Sequence, residues 1–536
     1  MVRWPLLTLL LLTTLAYTGV WKTGFVWDDV PLIVQNAALV RGSVWDVFAG
    51  DLWADSGAGA VSSGYYRPLV LITFMLDRAL FGLDPSGYHL HSLVWHLAAT
   101  VGLWRLLVDT VGEQGALAGS ALFALHPVQS EVVVWISARN DLMAAAFGFA
   151  ALGQVWRAGA TQRWRLWSCF GLTVAAALSK ETAFVLPLMA ALAFWRQPNR
   201  GMRVLPLAAG VVVVLVVRVV VGVGGSVSPA ADGWMLLLES SPRLAGLVGA
   251  SFVSPWPITS ARDLSWIAAT PPHRVWLGWC FILLVLALWL RTGRRWAVMV
   301  GMGWMVLLVG VTWVAIADKG GFGDRFLYWA MAGLGLIFGD LAARHTRWLL
   351  PAIALPSMVL IQHKLPDWST DLSLWSASMR DVASPSNELS MGHALTLKDR
   401  HVRAHVSFVG ALAGRSIDLE ACSGVVGSAM RAGMPRQALR MGLWSERKGC
   451  PPSGPRHGWM ATAAAMEGHW DLVDDWCHRE PADEYGRDVV ACAALARRRG
   501  DEAVFADLQR RWTGSGPLSD RVDALLDRDP AAVRGE

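Results

Sequence analysis

The feature that most restricts this chain is a succession of apolar runs separated, at every second gap, by arginines. Runs near 4–21, 89–107, 115–131, 141–156, 164–178, 182–195, 204–222, 275–290, 296–317, 326–340 and 348–362 each reach or approach the length that crosses a ~30 Å hydrocarbon layer. One soluble core cannot take them all. Composition points the same way: 54% of residues are hydrophobic and 17% charged, against about 25% charged in an ordinary soluble domain. A disordered chain and a plain cytosolic enzyme are excluded. The predicted fold class is all-α, a polytopic membrane protein of about eleven transmembrane helices.

The arginines fall at 157, 163 and 165, at 196, 200 and 203, at 291, 294 and 295, and at 344 and 347. Positive loops stay in the cytoplasm, so the N-terminus is predicted inside and the tail outside. The first run reads as a retained anchor, because no small-x-small cleavage site precedes Trp21. Residues 1–361 hold 25 Lys/Arg and 18 Asp/Glu, whereas 362–536 hold 22 and 24. The basic surplus belongs to the membrane part and is no sign of nucleic acid. Thirty tryptophans against six tyrosines suit a chain with many rings near the bilayer surface. Two domains are expected, a transmembrane domain over 1–362 and an extracytoplasmic helical domain over 363–536. Two large external loops, 22–88 and 223–274, belong to the first.

Charged residues gather on the external side. The first loop holds Asp28, Asp29, Asp46, Asp51, Asp55, Asp77 and Asp84; short connections hold Glu131, Arg139 and Asp141, then Lys180 and Glu181, then Asp318, Lys319, Asp324 and Arg325. Charges at span ends are costly unless they pair or line a wet cavity. For any one of them an interfacial salt bridge suffices; for the set, a shared polar cavity is the better explanation. The one charge inside a late span, Arg218, is expected to snorkel outward. Asp28 and Asp29 cannot share one orientation, so one can face a reacting group while the other binds backbone or a cation. A carboxylate placed there can act as general base toward a hydroxyl; the plainer reading is a helix cap. Arg67, Arg139, Lys180 and Arg325 would sit at the depth of a lipid phosphate, where a guanidinium can grip two phosphate oxygens. His89, His91 and His96 suggest a metal, but positions 89 and 96 share a helix face that 91 does not, and packing hydrogen bonds explain them more simply.

Beyond residue 362 the long apolar runs stop and helical periodicity remains. The stretches AMRAGMPRQALRMGLW, AAMEGHWDLVDDWC and ARRRGDEAVFADLQRRW each pair two helix segments around a glycine. These glycines, Gly433, Gly468 and Gly500, stand 35 and 32 residues apart, near the tetratricopeptide period. Tetratricopeptide-like hairpins are expected, which usually offer a groove to a protein or peptide. Cys422, Cys450, Cys477 and Cys492 lie here, and three disulfide connectivities are open.

The order of segments is that of a known family. FVWDD, YYRPL with GLDPSGYHLHSLVWH, ALFALHPVQSEVVVWISARNDL, LSKETAFVLPL and DRFLYW resemble, in this order, the transmembrane and tetratricopeptide-repeat O-mannosyltransferases and their bacterial relatives. These are C-type glycosyltransferases (GT-C) that use lipid-phosphosugars. DWSTDLSLWSASMRDVASPSNEL resembles the family's bridge into its repeats. The resemblance implies a polyprenyl-phosphate hexose as donor and a hydroxyl as acceptor, a protein Ser/Thr first and an envelope glycan or lipid second. It implies Asp28, beside Asp29, as base. His126, Glu131, Arg139, Asp141, Lys180, Glu181, Asp324, Arg325 and Tyr328 would line the donor head group with Arg67. Beyond that lipid-linked co-substrate no cofactor is assigned, and dependence on a divalent metal stays open. The rival readings are a polytopic transporter, which would place charges near the bilayer midplane, and a non-catalytic scaffold that uses its tail to hold a partner.

Overall fold

The computed structural model describes residues 4–56, 63–158, 162–197, 199–223, 231–254, 262–263, 267, 270–291, 295–319, 321–342, 346–381, 383–412, 419–450, 454–479, 487–512 and 517–527. Arg294, Arg344 and residues 224–230, 255–261 and 264–266 of the second external loop lie outside the described residues, as do the side chains of Arg295, Arg347, Asp318 and Lys319. Among the described residues the regular structure is helical apart from a two-residue antiparallel pairing of Arg262–Asp263 with Gly321–Phe322. The chain divides into two compact units, 1–377 and 378–536.

The first unit is an integral membrane bundle. Among the described residues three helical stretches, Trp4–Lys22, Arg200–Val221 and Trp296–Trp313, are long and apolar enough to cross a bilayer. A fourth is reached if Pro85–Leu125 and Pro127–Val134, bent by 50° to one another, form one broken span. The expected runs 89–107 and 115–131 fall largely on Pro85–Leu125, which breaks at Gly112, where φ is 77°. Such a left-handed backbone is open to glycine at little cost. Other expected runs correspond to Arg139–Arg157, Arg163–Ala177, Leu186–Ala193, Pro272–Arg291, Met331–Ala342 and Thr346–Lys364. Two helices form where external loops were expected, Pro68–Phe81 and Ala231–Ser251.

Small residues let the helices of this unit approach backbone to backbone. A methyl added at Gly115 would stand 2.7 Å from the Gly339 carbonyl, and one added at Gly119 would fall on the Gly335 carbonyl. Met331–Ala342, thus seated against the second half of Pro85–Leu125, carries the DRFLYW segment at its N-terminal end.

The first external loop folds onto the bundle as a small domain rather than lying in solvent. Leu32, Ile33, Leu39, Val47 and Leu52 from the loop join Val70, Phe74, Tyr88 and Met143 in one apolar core. Asn36 and Ser43 cap its short helices by accepting the Leu39 and Asp46 amides at 3.1 and 3.2 Å, as Asn and Ser do at helix starts. Arg41 clamps Asp46 and Asp55 at 2.7 and 2.9 Å.

The second unit is built of helical hairpins. Leu419–Arg431 pairs with Pro435–Arg447, Gly454–Met466 with Trp470–Arg479, and Arg487–Arg499 with Glu502–Arg511. The hairpin turns contain Gly433, Gly468 and Gly500 at φ 71°, 78° and 74°. The spacing of these glycines had marked all three turns. A further pair, Pro385–Thr396 with His401–Ala411, turns at Asp399 with φ 54° and lacked the glycine signal. Of the three connectivities, the structure takes Cys422–Cys450 and Cys477–Cys492. The first closes one hairpin on itself; the second ties one hairpin to the next.

Candidate active site

The two adjacent carboxylates are sorted by a single turn. Asp29 is fully buried: its Oδ1 accepts the Ser137 amide at 2.8 Å and the Ser137 hydroxyl at 2.5 Å, and its Oδ2 accepts the Val26 amide at 3.2 Å. Burial pushes the Asp29 carboxyl up to about 7, against the pull of those three donors and with a small upward contribution from the charge of Asp28. Asp29 thus pins the loop to the segment that begins at Ile136. Asp28 is half-buried. Of the pair, Asp28 is the carboxylate that keeps exposed surface.

The residue before it is under constraint. Trp27 has φ 55°, a left-handed backbone that is a genuine outlier for a bulky side chain. It is held from three sides. Its ring stacks on Trp135 at 4.5 Å with 10° between planes, meets Trp375 edge-on at 5.1 Å, and its amide donates to Asp371 Oδ1 at 2.6 Å. The Arg325 guanidinium lies over both stacked rings, 5.3 Å from the centre of Trp27 and 5.4 Å from that of Trp135. A cation on an indole face is attracted by the ring quadrupole. Arg325 therefore reaches the immediate neighbour of Asp28.

Around Arg325 the other charged residues are paired, buried or nearly so. Its Nη1 and amide donate to Glu131 at 2.8 and 3.0 Å. Lys180 pairs with Asp141 at 2.5 Å. Arg67 grips Glu181 through Nε and Nη2 at 2.9 and 2.8 Å. Lys180 feels the charges of both Arg67 and Arg325, and Glu131 feels that of Asp324, so one electrostatic cluster holds Arg67, Glu131, Asp141, Lys180, Glu181, Asp324 and Arg325. Arg218 does not snorkel to lipid; it donates to Glu181 Oε1 at 3.1 Å, which also accepts the Tyr66 amide, and to the Gly64 carbonyl at 2.7 Å, so two oxygens of the protein hold it in place of the interface.

Buried polar atoms without a partner among the described residues flank this cluster in sequence: Ser130 Oγ, Trp135 Nε1, Asn140 Oδ1 and Thr182 Oγ1. Folded proteins leave few such groups, and each calls for an explanation such as bound solvent or ligand. An apolar cavity lined by Leu106, Leu107, Trp156, Trp296 and Trp304 contains none of these residues; the charges, not that void, mark the chemistry.

Three expected donor-binding residues are placed differently. Arg139 has no exposed surface: it pairs with Asp77 at 2.5 Å, donates to Ser92 and Thr73 at 3.2 and 3.1 Å, and to the Tyr88 carbonyl at 2.8 Å. Tyr328 is fully buried, its hydroxyl 2.9 Å from His96 Nδ1. His126 accepts the Val128 amide at 3.3 Å and starts the turn at Pro127. The three histidines of the metal reading are engaged separately. His89 meets Thr23 at 2.9 Å, His91 meets Asp77 at 2.6 Å, and His96 meets Tyr328 and the Ala124 carbonyl. Among the described residues no three His, Cys, Asp or Glu side chains stand together as metal ligands.

Sequence reasoning had no role for Trp27, Trp135 or Asp371. The WDD triplet contains Trp27, and the density of rings in DWSTDLSLW was the available sign that this bridge packs against something.

Comparison with known proteins agrees with the resemblance drawn from the motifs. The chain is 30% identical over 152 residues to protein O-mannosyl-transferase TMTC3 of Homo sapiens, a match covering 28% of this chain and 17% of that protein. It is 32% identical over 180 residues to protein O-mannosyl-transferase Tmtc1 of Drosophila melanogaster, covering 33% and 21%. Over 124 residues it is 36% identical to protein O-mannosyl-transferase TMTC1 of Mus musculus, covering 22% and 13%. The matched part thus spans about a fifth or less of each of these relatives. No family model matches the chain, and no solved structure matches it.

Proposed function

We propose that this protein is a membrane glycosyltransferase that moves a hexose, mannose foremost, from a polyprenyl-phosphate donor to a serine or threonine hydroxyl of a protein on the extracytoplasmic side. The observation that carries the reading is the adjacency of Asp28, through Trp27, to Arg325 and its neighbours Lys180 and Arg67. It joins one accessible carboxylate to several cations. The similarity to proteins named O-mannosyl-transferases supports the same chemistry.

The reaction balances without a resident cofactor. Asp28 takes the acceptor proton as the hydroxyl oxygen bonds to the anomeric carbon. The bond from that carbon to the phosphate oxygen breaks on the opposite face, so configuration inverts, as in single displacements at sugars. The departing phosphate keeps the bonding pair and leaves as polyprenyl phosphate, its charge offset by Arg325, Lys180 and Arg67. The donor is a phosphodiester, and its leaving group, a phosphate monoester, departs as a stable anion and needs no acid. A positioned base contributes about 10²–10⁴-fold, and a donor aimed at the leaving oxygen about 10²–10³-fold.

The proposed topology has about eleven membrane passages, with the N-terminus inside and the hairpin unit outside. Two disulfides in that unit favour an oxidising compartment, such as a bacterial periplasm or the lumen of the endoplasmic reticulum. The test is mass spectrometry of extracytoplasmic proteins and envelope glycans from cells with and without the gene. Hexose on Ser/Thr peptides that disappears with the gene is the expected result. Loss confined to glycans or lipids would reassign the acceptor, and no loss in any fraction would remove the transferase reading.

A further inference from the structure

We propose that Asp371, in the segment that leads from the membrane bundle toward the hairpins, is a positioning residue for the base: it clasps the Trp27 turn and so aims Asp28. The inference rests on the proposed role of Asp28 and adds the part that holds it.

Trp27 occupies backbone that a bulky residue rarely adopts, at φ 55°, and such conformations persist only where the surroundings enforce them. The enforcing contacts come from far along the chain. The Trp27 amide donates to Asp371 Oδ1 at 2.6 Å, across 344 residues. Trp375, one helical turn after Asp371 on the Asp371–Asp381 helix, meets the Trp27 ring edge-on. Ser369 backs the same turn so closely that a methyl on Gly24 would stand 2.8 Å from its carbonyl oxygen. Upstream, Gln362 Nε2 donates to the Ala16 and Thr18 carbonyls at 2.9 and 2.7 Å. Residues 362–375 thus follow the chain from the end of the first helix to the acidic pair. An acceptor on Asp371 fixes the amide of Trp27, and the peptide plane that follows leads directly into Asp28. Without that bond Trp27 can relax toward ordinary backbone, and a turn in this short stretch swings the Asp28 carboxylate away from the acceptor hydroxyl. Misplacement by about 1 Å can cost about 10²-fold in rate.

The test uses the full-length protein in lipid nanodiscs. Asp371→Ala is compared with Asp371→Asn, whose amide oxygen can still accept the Trp27 bond. Two quantities are read: kcat and donor KM for sugar transfer, and hydrogen exchange of the peptide containing Trp27. Asp371→Ala is expected to lower kcat about 10- to 100-fold, leave donor KM within about twofold, and speed exchange at the Trp27 amide. Asp371→Asn is expected to restore both. Unchanged exchange in Asp371→Ala would overturn the clasp. Faster exchange with unchanged kcat would overturn its positioning role. A wild-type protein that transfers no sugar would remove the enzymatic reading, and exchange would still decide whether Asp371 holds the turn.

Discussion

Arg139 and Arg325 entered as equals, each an arginine in a short external connection, and the fold gives them opposite environments. Arg139 and Asp77 are both without exposed surface, and the guanidinium is further bonded to Ser92, Thr73 and the Tyr88 carbonyl. Arg325 keeps a fifth of its side chain exposed, pairs with a buried Glu131, and rests on two indoles. The first arrangement is closed: its groups are spent on joining helices. The second is open on one side and lies next to a carboxylate that is itself accessible. A sealed ion pair serves architecture, and a half-open one can serve a ligand.

The sharpest test of the open side is Asp28→Asn. It should lower transfer by about 10²–10⁴-fold with insertion and thermal stability unchanged; wild-type turnover in purified variant protein would strike Asp28 from the mechanism. Next is the closed side. Arg139→Ala takes the guanidinium from the buried Asp77, leaving it His91, and should destabilise the fold by about 3–5 kcal/mol, seen as lost expression or a lowered unfolding temperature. Replacing both partners by apolar residues, Arg139→Met with Asp77→Leu, should recover much of that stability and retain transfer. If the double variant folds yet is inactive, Arg139 belongs with the chemistry and the contrast fails. Arg325→Ala should show the reverse pattern: transfer down about 10²–10³-fold, with an unfolding temperature close to that of the wild type by calorimetry.

The smallest effect concerns Asp29, the closed member of the acidic pair. Its carboxyl is raised from 3.8 to about 7 in the fold. Between these values the folded chain holds a proton that the unfolded chain has released. Stability from this group is therefore present in acid and lost as pH rises through about 7. Asp29→Asn should flatten that part of the stability profile when unfolding is followed from pH 4 to 8; an unchanged slope would show that Asp29 is ionised throughout.

Much of the architecture was legible because its signals are local. Apolar runs found the helices, a run of glycines found three hairpin turns, and the order of FVWDD, HPVQSE, SKE and DRFLY gathered most of the charged cluster. What stayed hidden depends on distance in sequence. Asp77 lies in an amphipathic stretch read as loop, and nothing near it says that Arg139 will close over it. Arg218 reads as an interfacial cation in sequence, because its partner Glu181 stands 37 residues earlier. Asp371 contacts Trp27 across most of the membrane unit, and no window of sequence contains both. Pro68–Phe81 is 14 residues long and carries Asp77 and Arg78 side by side, which breaks its apolar run.

The cystines in the hairpin unit carry a consequence for biogenesis. Thiols stay reduced in an ordinary cytosol, so on the proposed topology Cys422–Cys450 and Cys477–Cys492 close only after this part of the polypeptide has been exported. A copy inserted upside down would keep four free thiols and a looser C-terminal half, open to proteolysis. Correct delivery is in this way written into the covalent state of the molecule, and quality control can read it from the sulfur atoms alone.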